Sequence, residues 1–305
     1  LNQFSMDEYG GHFRIATTSG HMWAEGDDIA KNNLYVLDEW LRMVGSLENL
    51  APGERIYSAR FMGRRAYMVT FRNVDPLFAI DLSDPARPTV LGQLKIPGYS
   101  DYLHPYDENH LIGFGKETVT VEMKNGWGQG EPMALYLGMK ISLFDVSDVS
   151  HPKEKFKEVI GDRGTQSELL HNHKALLFDR SRGLMAFPVE VAEVKDGSDR
   201  DESGIPAYGE FTWQGAYVYE VDPERGFRLK GRITHLSEED LAKTGMYGYD
   251  FSKAVRRILY AGDTLYTLSD AMLKANALDT LAERGSLRFP AKEKVYGGEA
   301  AIFIR

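Results

Sequence analysis

The stretch 78-FAIDLSDPARPTVLGQLKIPG-98 holds two apolar runs parted by a turn with two prolines. Whether it is a lone hairpin or a repeated unit decides the fold. Phe, Ile, Val and Leu suit a half-buried pleated surface, while Asp, Ser and Pro punctuate turns. Three further stretches follow the same order of apolar run, acid, turn and second strand: 33-NLYVLDEWLRMVGSL-47, 142-SLFDVSDVSHPKEKFKEV-159 and 216-AYVYEVDPERGFRLKGRI-233. The acids are Asp38, Asp81, Asp145 and Glu220, spaced by 43, 64 and 75 residues, and glycine recurs in the second strand at Gly45, Gly92 and Gly231. An acid placed there accepts backbone N–H groups of the turn that follows, so these four residues read as architectural.

Another strand pair precedes each unit, at 56-IYSARFMGRRAYMVTF-71, 101-DYLHPYDENHLIGFG-115, 173-HKALLFDRSRGLMAFP-188 and 255-VRRILYAGDTLYTLS-269. Their turns hold the Gly, Asp and Asn types that tolerate hairpin geometry. Four antiparallel strands over about 40–50 residues are the period of a β-propeller blade. The chain is therefore expected to be all-β, a single propeller domain over 1–305 with about five four-stranded blades, near 1–52, 53–98, 99–162, 163–236 and 249–290. A β-sandwich also explains alternating strands, but not an Asp–turn–Pro element with glycine at a fixed offset. One short helix is predicted at 237-SEEDLAKTGM-246, with Ser237 as its cap and Asp240 three residues on.

Composition narrows the function classes. A net charge of −9 argues against a general nucleic-acid surface, because phosphate binding rests on Lys and Arg. The 305 residues include no cysteine, which removes disulfides, thiol catalysis and cysteine-ligated zinc. No run approaches the ~20 apolar residues of a membrane span. The opening LNQFSMDEYGG has neither an initiator Met nor a signal-peptide pattern, and the sequence reads as the C-terminal part of a larger propeller.

Several phrases are more specific. LNQFSMDEY, RIATTSG, ERIYSARFMGRRAYMVTFRNVDPLFAIDLSDP, GYSDYLHPYDENHLIGFGKE, GMKISLFDVSD and WQGAYVYEV occur in order along the chain. Together they resemble the secreted bacterial and archaeal proteins with a C-terminal β-propeller distantly related to WD40 repeats. FAIDLSDPARPTVLG is also similar to the LVIVD-type repeat of cell-surface propellers. The resemblance implies an extracellular or cell-envelope location and further blades upstream, and it carries over no catalytic residues.

Four sets of residues could carry chemistry. In 199-DRDESGIPAYGE-210, Asp199, Asp201, Ser203, the Ile205 carbonyl and Glu210 stand at calcium-loop spacing, with Gly204 at the bend. Ser203 in place of Asp or Asn, Pro206, and the lack of flanking helices depart from that pattern, and a solvated acidic loop is the competing reading. His171 and His173 share one side of an extended strand, and His104 holds a comparable place in the preceding blade. With Glu168 or Asp101 nearby they are candidates for a transition metal at a channel mouth, against the plainer role of bonding backbone or water. Trp127, among Gly, Lys and Asn, marks a protruding loop suited to partner contact. Trp213, Tyr99, Tyr102 and Tyr106 could line a carbohydrate or peptide groove, and the plainer reading is packing between blades.

No GxSxG elbow, P-loop or dinucleotide fingerprint occurs, and 113-GFGKET-118 lacks the phosphate-loop spacing. The function expected is therefore non-catalytic: a rigid, calcium-stapled disc that presents loops and a channel mouth to a protein or glycan. The alternative is a hydrolase or lyase with acids or histidines from several blades meeting in the channel. An enzyme requires titratable groups with perturbed pKa values gathered in a polar mouth, whereas a binding module requires an exposed aromatic patch.

Overall fold

In a computed structural model, residues 2–22, 24, 26–71, 75–124, 130–195, 205–242 and 249–290 are described. They form five four-stranded antiparallel sheets, each a simple up-and-down meander. This bears out the all-β, propeller-type reading.

Blade 1 comprises β1 (Met6–Tyr9), β2 (His12–Ser19), β3 (Lys31–Leu37) and β4 (Met43–Leu50). Blade 2 comprises β5 (Arg55–Met62), β6 (Arg65–Phe71), β7 (Asp75–Asp81) and β8 (Thr89–Ile96). Blade 3 comprises β9 (Tyr99–Pro105), β10 (His110–Lys124), β11 (Gly130–Asp145) and β12 (Lys153–Ile160). Blade 4 comprises β13 (Leu177–Asp179), β14 (Leu184–Glu193), β15 (Glu210–Asp222) and β16 (Gly226–Ile233). Blade 5 comprises β17 (Arg257–Ala261), β18 (Thr264–Leu268), β19 (Met272–Ala277) and β20 (Glu283–Arg288).

Apolar side chains of neighbouring sheets meet face to face. Leu34 and Val36 of blade 1 pack with Met68, Phe78 and Ile80 of blade 2. Phe114 and Ile141 of blade 3 pack with Phe187 and Tyr219 of blade 4. Val218 and Ile233 of blade 4 pack with Ile258 and Leu265 of blade 5. Burying such side chains stabilises each interface by roughly 1.5–3 kcal/mol per residue.

The recurring acids and glycines belong to one device. Asp38 Oδ1 accepts the N–H groups of Trp40 and Arg42, both at 2.9 Å. Asp81 and Asp145 accept those of Ser83 and Ser147 at the same distance. Blade 4 corrects the expectation for Glu220: Asp222 caps its turn, accepting from Glu224 N and Arg225 N at 2.8 and 3.0 Å. Glu220 instead forms a cross-strand ion pair with Arg228. Between the third and fourth strands every blade has a bulge at the same register, after the pairs Val36–Gly45, Ala79–Gly92, Leu143–Phe156, Val218–Gly231 and Ala275–Gly285.

A turn from the next blade lies on that bulge. A Cβ on Gly45 would stand 2.4 Å from the Pro85 carbonyl oxygen, and one on Gly92 would stand 2.4 Å from that of Val149. On Gly231 it would meet Leu281 Cδ1 at 2.8 Å. At Gly45 and Gly92 glycine is thus required by the close approach of a neighbouring backbone rather than by its own dihedral angles, whereas at Gly231 the neighbour is the end of a leucine side chain.

The helix expected at 237–246 is α1 (Glu238–Ala242). Ser237 Oγ accepts from Asp240 N at 3.2 Å while Asp240 Oδ2 accepts from Ser237 N at 2.9 Å, the reciprocal pairing of a capping box. Among the described residues no helix is long and apolar enough to cross a membrane.

Candidate functional site

Two polar clusters lie along the first strands of the central blades. The outer one lines a cavity of about 560 Å³ bounded by Asn2, Thr18, His21, Arg55, Tyr57 and Asp101. Its wall is built by two matching bulges. In β5 the register jumps between Ile56 and Ser58, leaving Tyr57 unpaired. In β9 it jumps between Tyr102 and Ser100, leaving Asp101 unpaired. A bulge re-aims the extra side chain, and here Tyr57 and Asp101 both turn to the same cavity.

Around them stands an aromatic frame. Tyr99 lies 4.7 Å from Tyr57, 5.0 Å from Phe71 and 5.2 Å from Tyr136 between ring centroids. Arg55 covers the Tyr57 ring at 4.9 Å and donates to its hydroxyl at 3.3 Å. The Tyr57 and Tyr136 hydroxyls are 3.4 Å apart, and Tyr136 is exposed. Burial, followed by the hydrogen bond to Tyr57, raises the Tyr136 phenol above its usual range.

Behind Asp101 stands Lys116, almost wholly buried in β10. Its ammonium donates to the Thr165 carbonyl. Burial pushes the Asp101 carboxyl up to about 7, opposed by the charges of Lys116 and Arg55. Burial also pulls Lys116 down to about 8, opposed by Asp101. Asp101 thus reaches the cavity wall, while Lys116 stays buried outside the lining.

The inner cluster gathers two of the three histidines read as channel candidates. The Tyr102 hydroxyl and His104 Nδ1 are 2.9 Å apart, and the His104 ring meets Phe178 edge-on at 4.6 Å. Burial, with Arg60 and His173 adding to it, pushes His104 down to about 4. His173 is lowered too, chiefly by burial. It bonds Gln3 at 2.8 Å and packs edge-on against Phe4 at 4.9 Å. Residues 3–4 thus fill the space that these histidines face, with the Arg60 guanidinium 4.1 Å over the Phe4 ring.

His171 and His173 do not share a strand. They lie at two 3-10 turns, Glu168–Leu170 and His173–Ala175, capped by Ser167 and Asn172, and His171 is exposed outside the cluster. Among the described residues no group of three or more His, Asp or Glu side chains has the arrangement of a metal shell.

Of the calcium-loop residues, Asp199, Asp201 and Ser203 lie outside the described residues, as does Trp127. Ile205 is described, close to Pro206, whose carbonyl accepts from Arg163 at 2.7 Å. Glu210 opens β15 and forms an ion pair with Lys195. Tyr99, Tyr102 and Tyr106 are buried, and Trp213 packs on Tyr217 and under Arg232, so these aromatics serve packing.

Sequence reading did not single out Arg55, Tyr57, Lys116 or Tyr136. Two signals were present: a Tyr-Ser pair at 57–58 that recurs at 99–100, and a lysine set in the apolar run LIGFGKETV.

Residues 1–281 match the family model described as "Beta propeller domain". An uncharacterised protein of Archaeoglobus fulgidus is 43% identical over 201 residues, covering 65% of this chain and 28% of that protein. An uncharacterised protein of Methanocaldococcus jannaschii is 49% identical over 190 residues, covering 62% and 27%. The chain thus spans under a third of the length of these relatives. Among solved structures, the Cps50 (Swd1) β-propeller domain from Myceliophteria thermophila aligns at a TM-score of 0.40 and 9% identity, over 86% of this chain and 70% of that one. Sqt1 from Chaetomium thermophilum aligns at 0.38 and 10%, over 92% and 70%.

Proposed function

This chain belongs to the beta propeller domain family, and from that premise we propose that it is a non-catalytic binding module that receives the end of a glycan at the cavity between blades 1, 2 and 3. One observation carries the reading: the lining sets the half-buried Tyr57 beside hydroxyl, amide and guanidinium groups of Thr18, Asn2 and Arg55 around about 560 Å³. A sugar offers apolar C–H faces that stack on aromatic rings, and hydroxyls that pair with Arg, Asn and Asp. The extracellular or envelope setting belongs to the same reading and rests on the sequence resemblance. A calcium ion at 199–210 would staple the loop and take no part in recognition.

A glycan-array screen of the labelled chain beside Arg55→Ala tests this. The proposal expects a restricted set of glycans retained by the parent and lost by the variant. An array without retained glycans, or one on which both proteins behave alike, sinks it.

A carboxyl raised by burial at the cavity wall, that of Asp101, favours a second reading, a hydrolase or lyase. Under it, glycans retained on the array are consumed by the parent, and Asp101→Asn stops turnover while binding persists. Under the binding reading they are recovered intact.

A further inference from the structure

Asp7, Asp38, Asp107, Asp145 and Asp179 are half-buried, as Asp101 is, and each of the five accepts a hydrogen bond. Asp7 takes the Arg14 guanidinium at 2.7 Å, and the other four take backbone N–H groups of the turns that follow them. Asp101 has no such partner. Its carboxyl lies on the wall of the cavity of about 560 Å³, and among the described residues none donates to it.

The cations near Asp101 are engaged elsewhere. Lys116 gives its ammonium to the Thr165 carbonyl, and Arg55 covers the Tyr57 ring and donates to its hydroxyl. Both charges favour an ionised Asp101 from a distance, and neither supplies it with a hydrogen bond. Its place in the bulge, where the ladder skips it, turns the side chain to the cavity. A part-buried acceptor left without a donor is costly, and the cavity is the side from which a donor can come.

The chemistry of that donor follows from the lining. Its charged residues are His21, Arg55 and Asp101, so among the described residues Asp101 is its one acid. Hydroxyls of a neutral sugar find neutral partners in Asn2, Thr18 and the Tyr57 hydroxyl. An ammonium offers more to Asp101: a hydrogen bond between two charged groups is shorter and roughly twice as strong as one between neutral groups.

We infer that Asp101 selects a glycan terminus with a free amino group, an amino sugar whose ammonium donates to the Asp101 carboxylate. This inference rests on the glycan-binding reading of the cavity and adds the class of sugar. Acetylating the sugar nitrogen removes its charge and leaves a single N–H, so an N-acetylated terminus forfeits the contact.

Three β-1,4-linked tetrasaccharides that differ at C2 test it: the glucosamine tetramer, the N-acetylglucosamine tetramer and cellotetraose. Isothermal titration into the parent at pH 7 is expected to give a Kd roughly tenfold tighter for the glucosamine tetramer than for the other two. Asp101→Asn keeps the side-chain volume and one acceptor oxygen but removes the charge. It is expected to keep the parent's affinity for cellotetraose and to bind the glucosamine tetramer no more tightly, with a thermal melt confirming the fold. A parent that binds all three alike, or an Asp101→Asn variant that retains the preference for the amine, overturns the inference. In either case the cavity reading still stands if Arg55→Ala weakens all three. A parent that binds none of the three also overturns the inference, and the glycan array then decides the cavity reading by itself.

Discussion

Gly226 in the turn of blade 4 faces the ring of Phe156 in blade 3, and a Cβ on Gly226 would stand 2.7 Å from Phe156 Cγ. At the other joints the glycine sits in the strand and the bulkier residue in the turn, so this pair exchanges the roles while keeping the volume. Gly226 also has φ 78°, where other residues are strained. Gly226→Ala is expected to destabilise by about 2–4 kcal/mol in urea unfolding. Adding Phe156→Ala should recover the steric part and leave the backbone part. Additive costs in the double variant would show that the two residues do not form a joint.

The joints differ in whether they are filled, and stability should report it. Gly92→Ala drives a methyl group against the Val149 carbonyl and is expected to cost at least about 2 kcal/mol. Gly285→Ala meets nothing among the described residues and is expected to gain up to about 1 kcal/mol, the usual advantage of Ala over Gly within a strand. Equal costs at the two sites would remove the distinction.

These joints show how far the sequence could be read. Gly45, Gly92 and Gly231 stood at a fixed offset from an acid, so the repeat and the blade were legible. The reason for the glycine was not, because the segment that excludes a side chain comes from the next blade. Glu220 ends the apolar run and so reads as the turn acid, yet Asp222 is the residue whose carboxylate reaches the turn's N–H groups. The histidines at 171 and 173 looked like alternate residues of a strand. Ser167 and Asn172 instead hold their side chains on backbone N–H groups at 3.2 Å and wind that segment into 3-10 turns. The candidate site was the least legible part. Tyr57 and Asp101 reach one cavity only through bulges, and a bulge shifts the facing of a strand without a composition of its own.

Asp101 and Lys116 give stability a defined pH dependence. The Asp101 carboxyl is raised from 3.8 to about 7, so the folded chain holds a proton that the unfolded chain has lost. Stability therefore declines as pH rises from about 4 to about 7 and stays down above that. Lys116, lowered from 10.5 to about 8, acts oppositely: the unfolded chain holds the extra proton, and stability rises from pH 8 towards 10.5. Urea midpoints of the parent are expected to reflect a minimum between pH 7 and 8. Asp101→Asn should remove the decline below pH 7, on the order of 1–3 kcal/mol. Parallel profiles for parent and variant would contradict the burial of this carboxyl.

The calcium reading of 199–210 predicts that EGTA-treated chain gains thermal stability on addition of Ca²⁺, about 2.7 kcal/mol at a hundredfold excess over Kd. Asp201→Ala should abolish the gain. Because the Glu210 carboxylate pairs with Lys195, Lys195→Met should free it and strengthen calcium binding. Superimposable melts with and without calcium would return the segment to an acidic loop.

Isothermal titration of a glycan retained on the array, into the parent and into Arg55→Ala at pH 7, tests the central claim most directly. The account predicts saturable binding at one site and a Kd at least tenfold weaker in the variant, with an unchanged melting temperature, since Arg55 lies at the rim and outside the buried core. Equal affinity for the two proteins would place recognition elsewhere and contradict the account.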